Sequence, residues 1–462
     1  MEKIDFNSKK HIHFIGIGGI SMSGLAELLL KNGFTVSGSD RDESDLTKKL
    51  AEMGAVINTP QKAENITDDI DLVVYTAAIH PDNPEFMAVE QKGLPKVTRA
   101  EFLGSVMQNY RIPIAISGTH GKTTTTSMIS EIMLISGSDP TISVGGILPS
   151  INGNFRTGGR DIFITEACEY TNSFLSLNPK IGIILNIEAD HLDFFKDLDD
   201  IRHSFREFAR LLPDDGVLII NGEVENISYI TDGLKCKVIT YGLNKSFDVY
   251  ADNISYGENG CAEFDLNGIG DSPLRISLMV PGEHNIGNSL AAAAAAHFSE
   301  APEKDIIAGL SSFTGTKRRF EVLGPMAANE NVTVIDDYAH HPTEIKATLT
   351  AASKRTHNSI WAVFQPHTYT RTKALLDDFV DAFTLTDHLV MADIYAARET
   401  DTLGVSSELL AEKAKDKGID AYYFPSFEEI ENFLKKNCVN GDLLITIGAG
   451  DVDKIGHALV KK

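Results

Sequence analysis

The stretch ISGTHGKTTTT, residues 116–126, carries the residue types of a phosphate-binding loop. Glycines let backbone N–H groups approach phosphate oxygens. A helix starting at about Lys122 adds the partial positive charge of its N-terminus. The candidate loop comprises Gly118, Thr119, His120, Gly121, Lys122, Thr123 and Thr124. Lys122 is placed to reach the β- and γ-phosphates of a nucleotide, and Thr123 to ligate Mg2+. The common spelling G-x-x-x-x-G-K-[ST] needs a glycine at 116, where Ile116 stands, so the loop is a shortened type.

Other clusters could share in this chemistry. Gly16 and Gly18 begin a G-x-G-x-x-G pattern whose third glycine is replaced by Ser21, and Asp40 stands where an acid would hold a ribose. That partial pattern fits NAD or any other nucleotide diphosphate. Glu166, in EACEY, and His191, beside Asp190 and Asp193, suit a divalent metal near a phosphate loop, or else surface acids and a core histidine. IDDYAHHPTE (335–344) and FQPHTYTRT (364–372) gather acids, histidines and Arg371, and a guanidinium can bind a carboxylate by two parallel hydrogen bonds. There is no Ser-His-Asp order and no G-x-S-x-G elbow.

The elements that must position these residues are short β-rich runs alternating with helical patterns. Predicted strands cover 11–17, 34–40, 71–76, 112–117, 161–166, 182–186, 216–221, 332–336, 359–365, 388–393 and 443–448. A helix is expected over 21–33, with Met22, Leu25, Ala26, Leu28 and Leu29 on one face and Gly33 as its stop. Such alternation means parallel, doubly wound sheets, whose ligands bind at strand carboxyl ends. The polar clusters all follow predicted strands. Pro342 suits the first position of a helix. Residues 245–280 read as β-hairpins forming a small layer on the middle domain.

Length and composition bound the answer. At ~150 residues per domain, 462 residues suggest about three domains. Boundaries near 108–111 and 317–320 give domains 1–109, 110–318 and 319–462. Lys plus Arg is 42 against 65 Asp plus Glu, a net charge of −23, so nucleic acid and anionic membranes are poor partners. Cys168, Cys236, Cys261 and Cys438 form no C-x-x-C pair and read as reduced thiols. The first residues lack a signal-peptide pattern and no apolar run reaches ~18 residues, so a cytoplasmic protein is expected.

Taken together, HFIGIGGISMSGLAE, SGSD, GTHGKTTT, NIEADHLD, PGEHNIGN, GTKRRFE, DDYAHHPTE, FQPHTYTRT, DIYAARE and GAGD, in that order over the whole chain, resemble the Mur ligase family. The resemblance implies an α/β protein with a Rossmann-like UDP-binding domain, a central P-loop-type ATPase domain and a C-terminal Rossmann-like domain that closes on ATP and an amino acid. It points to the branch that uses ATP to join L-alanine to the lactyl carboxylate of UDP-N-acetylmuramate, through an acyl phosphate, in peptidoglycan precursor synthesis. It makes Lys122, Glu166, His191 and Arg319 catalytic, with Arg318 the alternate to Arg319. The metal, Mg2+ as two ions or Mn2+, falls to Thr123, Glu166 and His191. ATP adds His284, Asn285, Asn288, Arg319 and Asp337 to the loop. The UDP-sugar falls to Gly16, Gly18, Gly19, Ser23, Asp40, Thr76 and His80, and the amino acid to Tyr338, His340, His367 and Arg371. A monomer or homodimer is expected.

The chain departs from the family pattern in three places. EACEY replaces the common E-A-D-E-S, and Thr368 stands where arginine often follows the histidine of FQPH. No lysine lies between Asp197 and Arg210, where sister ligases place a carbamylated one; the alanine-adding branch does without it. Three other readings compete. An NAD oxidoreductase would leave GTHGKTTT unexplained. A regulator would bind nucleotide without turnover. A sister ligase would attach a whole tripeptide.

Overall fold

The computed structural model describes residues 4–76, 78–192, 194–397 and 399–460. Asp193, read above as a neighbour of His191, lies outside them. The chain divides into two compact units. The first comprises Met1–Ala251, Leu266–Leu274 and Gly287–Leu310, and the second Asp252–Asp265, Arg275–Ile286 and Ser311–Lys462.

In the first unit, β1 (His11–Ile15), β2 (Thr35–Ser39), β3 (Val56–Asn58), β4 (Leu72–Tyr75) and β5 (Lys96–Thr98) form a parallel sheet in the order β3-β2-β1-β4-β5. Strand order reverses at β1, so the crevice beyond its carboxyl end is the expected ligand position, and Gly16–Gly19 lie there. The helix Ile20–Lys31 returns the chain to β2 and buries Met22, Leu25, Ala26, Leu28 and Leu29, the face read from the sequence. Gly33 follows it with φ +79°.

A ten-stranded sheet comes next: β6 (Ile112–Ser117), β7 (Thr141–Leu148), β8 (Gly153–Arg156), β9 (Ile162–Glu166), β10 (Ile181–Ile184), β11 (Val217–Asn221), β12 (Lys237–Gly242), β13 (Val249–Tyr256), β14 (Cys261–Asn267) and β15 (Leu274–Pro281). Its order is β15-β14-β13-β12-β11-β10-β6-β9-β7-β8. The central strand β6 pairs in parallel with β9 and β10 and is buried along its whole length, as its unbroken apolar run requires. The segment 245–280, expected as a small β layer on the middle domain, is attached there as strands of the same sheet. It supplies β13 to β15, which continue the sheet from β12 through the pairing of Tyr241 with Val249.

The second unit holds β16 (Glu321–Met326), β17 (Asn329–Asp337), β18 (Ile360–Phe364), β19 (His388–Met391), β20 (Asp420–Tyr423) and β21 (Leu443–Ile447), in the order β16-β17-β21-β18-β19-β20. Only the β16–β17 pair is antiparallel. Pro342 opens the helix Pro342–Ser353, satisfying the expectation for that proline.

One contact within the first unit joins its two sheets. The helix Arg99–Met107, which closes the first sheet, lies against the turn that follows β9. A Cβ built on Gly104 would fall 1.8 Å from the carbonyl oxygen of Ser176, and Asn178 Nδ2 donates to the Gly104 carbonyl at 3.0 Å. Only glycine permits this approach. The contact fixes Arg99, at the start of that helix, relative to the residues after β9. Gly104→Ala is therefore expected to cost at least ~1–3 kcal/mol of stability. A lowered denaturation midpoint checks it, against Gly287→Ala, whose added Cβ meets nothing within 4 Å inside a helix and which is expected to hold or raise the midpoint.

Candidate active site

The chain leaves β6 through Gly118 (φ +142°) and Gly121 (φ +84°) and enters the helix Lys122–Ile135. No acidic residue stands in that helix's first turn and no side chain caps it, so its first amides remain open to an anion. The loop is strapped to the segment after β10. His120 N donates to Asn186 Oδ1 at 2.7 Å, Asn186 Nδ2 donates to the His120 carbonyl at 3.0 Å, and Glu188 N donates to Thr119 Oγ1 at 2.9 Å. Asn288 packs on the loop, since a Cβ at Gly121 would lie 2.7 Å from its Oδ1. Thr123 is buried at the helix start, and Thr124 is half-buried beside it.

Lys122 folds back over its own loop. Its ammonium donates to the carbonyls of Gly118 and Thr119 and meets Glu169 Oε2 at 3.0 Å and Oε1 at 3.2 Å. Burial works against the charge, but Glu169, with Cys168 and Glu166 in support, outweighs it and holds the pKa above the ordinary lysine value. Glu169 is 3% exposed and was not singled out from the sequence. The available signal was its place as the second acid of EACEY, directly after a strand.

Glu166 ends β9 and accepts from the Gly145 amide at 2.5 Å. His191 has φ +53°, stacks on Tyr170 at 4.5 Å between ring centroids, and stands 3.9 Å from Glu169 Oε1 and 3.8 Å from Asp190 Oδ2. Tyr170, one of the departures from the family pattern, thus braces the imidazole. Glu169 and His191 lie 3.9 Å apart, while Thr123 stands in the first turn of the helix Lys122–Ile135 and Glu166 ends β9. Oxygen donors and a ring nitrogen are the ligand types a hard divalent cation takes. Carboxylates drawn together around one ammonium leave negative charge for such an ion to neutralise.

At the first sheet, Gly16 and Ile17 donate to the Ser39 carbonyl at 2.8 and 2.9 Å, and Asp40 accepts from the amides of Gly18 (2.8 Å) and Arg41 (2.7 Å). Thr76 abuts Gly16, whose added Cβ would lie 2.9 Å from the threonine methyl. Gly19 precedes the helix Ile20–Lys31, which has neither a side-chain cap nor an acid in its first turn. The structure therefore gathers Gly16, Gly18, Gly19, Asp40 and Thr76 at strand carboxyl ends. Ser23 is buried, its hydroxyl donating to the Ile20 carbonyl at 3.0 Å, and His80 is exposed.

In the second unit, Tyr338, His340, His367 and Arg371 form a chain of neighbours. Ring centroids are 5.6 Å apart for Tyr338–His340 and 6.0 Å for His340–His367, and Arg371 Nη1 lies 3.4 Å from His367 Nδ1. His340 Nδ1 sits 3.1 Å from the Tyr338 carbonyl, which can only accept, so this nitrogen carries the proton and Nε2 the lone pair. Burial lowers the His340 pKa to about 4, despite Glu344. Glu399, also not singled out from the sequence, accepts from the amides of Tyr369 (2.5 Å) and Thr370 (3.1 Å), fixing the segment that carries Thr368 and Arg371.

The two arginines of KRRF separate clearly. Arg318 is committed to Asp336 (3.1 Å) and the carbonyls of Gly448 (2.7 Å) and Gly450 (3.0 Å), a framework role. Arg319 lies 3.9 Å from Glu344 Oε1, and both arginines lie over the Tyr338 ring, at 5.0 Å for Arg318 and 5.2 Å for Arg319. His284 and Asn285 belong to the second unit and Asn288 to the first.

Comparisons with known proteins place these features in a family. Residues 11–111 match the model described as "Mur ligase family, catalytic domain", residues 116–296 the "Mur ligase middle domain" and residues 318–450 the "Mur ligase, glutamate ligase domain". The UDP-N-acetylmuramate–L-alanine ligase of Agathobacter rectalis is 58% identical over 462 residues, covering 100% of both chains. That of Clostridium botulinum (strain Langeland) is 54% identical over 454 residues, 98% of each. Among solved structures, the UDP-N-acetylmuramate-alanine ligase of Thermotoga maritima superposes with a TM-score of 0.78 at 29% identity, over 97% of this chain and 98% of that one. A murein peptide ligase from Psychrobacter arcticus gives a TM-score of 0.70 at 26% identity, with the same coverage.

The buried groups of the second unit set opposing pH slopes. Burial, partly offset by Arg319 and the amides of Ala339 and Phe320, raises Asp337 from its ordinary 3.8 to about 6. Native Asp337 then holds a proton that the unfolded chain has released, and its contribution to stability grows as pH falls through 6. His284 and His340, lowered by burial from 6.5 to about 4, act oppositely: stability is lost as pH falls from 6.5 toward 4. Asp337→Asn should therefore steepen the loss of melting temperature between pH 6.5 and 4 and gain most, relative to wild type, above pH 6. An unchanged pH slope contradicts a buried, protonated Asp337.

Proposed function

The chain belongs to the Mur ligase family, and from that premise we propose that it is the ligase that joins L-alanine to the lactyl carboxylate of UDP-N-acetylmuramate. The reaction consumes ATP and gives UDP-N-acetylmuramoyl-L-alanine, ADP and phosphate, in peptidoglycan synthesis. What carries this reading is that the chain matches its alanine-adding relatives from end to end rather than in one domain. We assign residues 1–109 to the UDP-sugar, 110–318 to ATP and 319–462 to ATP and the amino acid.

The chemistry follows from the assigned residues. A lactyl carboxylate oxygen attacks the γ-phosphorus, and the bond to the β-phosphate oxygen breaks to release ADP. This step brings negative groups together. Lys122, kept charged by Glu169, and the open amides of the helix Lys122–Ile135 offset that repulsion. Mg2+ fits the donors Thr123, Glu166 and His191, and when bound it supplies further neutralisation of phosphate charge. Arg319 and Asp337 serve ATP, with Asp337 on its ribose, and His284, Asn285 and Asn288 serve the adenine side.

The alanine amine then attacks the acyl carbon, and phosphate leaves from the tetrahedral intermediate. An amine attacks only when unprotonated. His340 Nε2, with its lone pair fixed by the Nδ1 contact to the Tyr338 carbonyl, can accept a hydrogen bond from that amine and orient it. Arg371 meets the amino-acid carboxylate, with His367 against it.

Phosphate release with ATP, Mg2+ and UDP-N-acetylmuramate, scanned over L-alanine, glycine, L-serine and the L-alanyl-γ-D-glutamyl tripeptide with product masses, tests the function. Release with L-alanine and the alanyl-conjugate mass is expected; release only with the tripeptide moves the chain to the murein peptide branch. Lys122→Ala should abolish release and leave UDP-sugar affinity unchanged, and normal release by this variant contradicts the ATP site. Arg371→Ala should raise KM for alanine on the order of 10- to 100-fold while leaving KM for ATP near its wild-type value. Equal effects on both would remove Arg371 from the alanine pocket.

A further inference from the structure

We propose that Arg99 is the cation that receives the lactyl carboxylate of the sugar acid, in a cavity walled by the first sheet on one side and by the end of β9 on the other. The inference rests on the ligase reading above and names a residue to which that reading gives no role.

The cavity has a volume of about 300 Å³ and lies wholly within the first unit, a size suited to a small ligand. Ser21 and Arg99 line it from the first sheet, and Gly145, Glu166, Cys168 and Ser173 from the central one. It therefore runs from the start of the helix Ile20–Lys31 to the carboxylate assigned to the metal. A substrate with a nucleotide at one end and a reacting acid at the other has to span that distance.

Arg99 is a half-buried guanidinium whose one side-chain hydrogen bond among the described residues goes to Ser21 Oγ, at 3.1 Å. Among the described residues no carboxylate stands within ion-pair distance of it. Its helix-mates do not neutralise it, since Glu101 is engaged in the capping box with Thr98. Burial pushes the guanidinium pKa down from its ordinary value, with Cys168 the one group working against that. An arginine partly withdrawn from water without a counter-ion is costly, and a five-donor fork facing a cavity is completed by an anion.

Two anionic groups of the substrate are candidates, the diphosphate and the carboxylate. The open amides of the helix Ile20–Lys31 already provide for the diphosphate. The cavity lining decides between the two, because Arg99 shares it with Cys168 and with Glu166, the carboxylate assigned to the metal at the end of β9. Arg99 thus faces the same cavity as the reacting end. There it holds the carboxylate and screens it from the γ-phosphate until attack.

Titration of wild type, Arg99→Gln and Arg99→Lys with UDP, UDP-N-acetylglucosamine and UDP-N-acetylmuramate tests the proposal, because the two sugars differ by the lactyl group. Arg99→Gln is expected to weaken UDP-N-acetylmuramate on the order of 10- to 100-fold, leave UDP and UDP-N-acetylglucosamine unchanged, and raise KM for the sugar acid with KM for ATP unchanged. Arg99→Lys should recover part of the loss. Equal weakening of all three ligands places Arg99 on the diphosphate and overturns the proposal, as does unchanged binding of the sugar acid. If Arg99→Gln does not fold, the same titrations on Arg99→Lys decide: a selective loss for the sugar acid supports the proposal, and a uniform loss or none overturns it. A wild-type protein that binds no UDP-N-acetylmuramate overturns the ligase reading instead.

Discussion

An ammonium withdrawn from water with a carboxylate 3.0 Å away is the constraint around which the first unit is arranged. Lys122 is only 17% exposed and Glu169 3%. Such a pair is tolerable when its remaining donors are satisfied, and losing one partner costs about 3–5 kcal/mol. The loop meets that demand with its own backbone: the Gly118 and Thr119 carbonyls take the other lysine protons. That geometry needs the left-handed backbone at Gly121 and the buried central strand β6 behind it. The pair also keeps Lys122 charged, which is the property phosphoryl transfer requires of it.

The same charge logic explains how a chain of net charge −23 handles anionic substrates. Attraction does not come from the surface as a whole. On the proposed function it comes from a few cations and helix ends. The helices Lys122–Ile135 and Ile20–Lys31 both begin without a side-chain cap or an acid in the first turn. Lys122, Arg99 and Arg371 are each half-buried rather than free in solvent. Their fields are less screened by water and salt than those of surface lysines. In the second unit, burial works in the other direction and keeps His340 neutral, so that Nε2 offers a lone pair to a hydrogen-bond donor.

Much of this was legible in the sequence because glycines, Lys-Thr pairs and strand-to-helix transitions have local causes. The limits of β6 and the start of its helix match the reading, and the buried face of the helix Ile20–Lys31 does too. Strands β3, β5, β7, β8, β12, β16 and β20 were not legible. Several are only three or four residues long, and β7 and β8 form an antiparallel edge broken by glycines, where no alternation of period two survives. Residues 245–280 were read as a layer on the middle domain, though hairpin signals say nothing about which sheet edge a strand joins. Side-chain partnerships were the least visible. Glu169 and Glu399 gain meaning from Lys122 and from the amides of Tyr369 and Thr370, contacts 47 and 30 residues away along the chain. Arg318 and Arg319 are adjacent and alike in sequence, and only their contacts separate a framework arginine from a candidate ATP ligand.

The central claim is that a substrate carboxylate attacks the γ-phosphate beside Lys122, and isotope transfer tests it most directly. UDP-N-acetylmuramate labelled with oxygen-18 in both carboxylate oxygens is turned over with ATP and L-alanine, and the released phosphate is weighed. The account predicts one labelled oxygen in each phosphate, carried across when the acyl phosphate collapses. Phosphate free of label, with the alanyl product still formed, would contradict it and require a route to the amide bond that never joins the carboxylate to phosphorus.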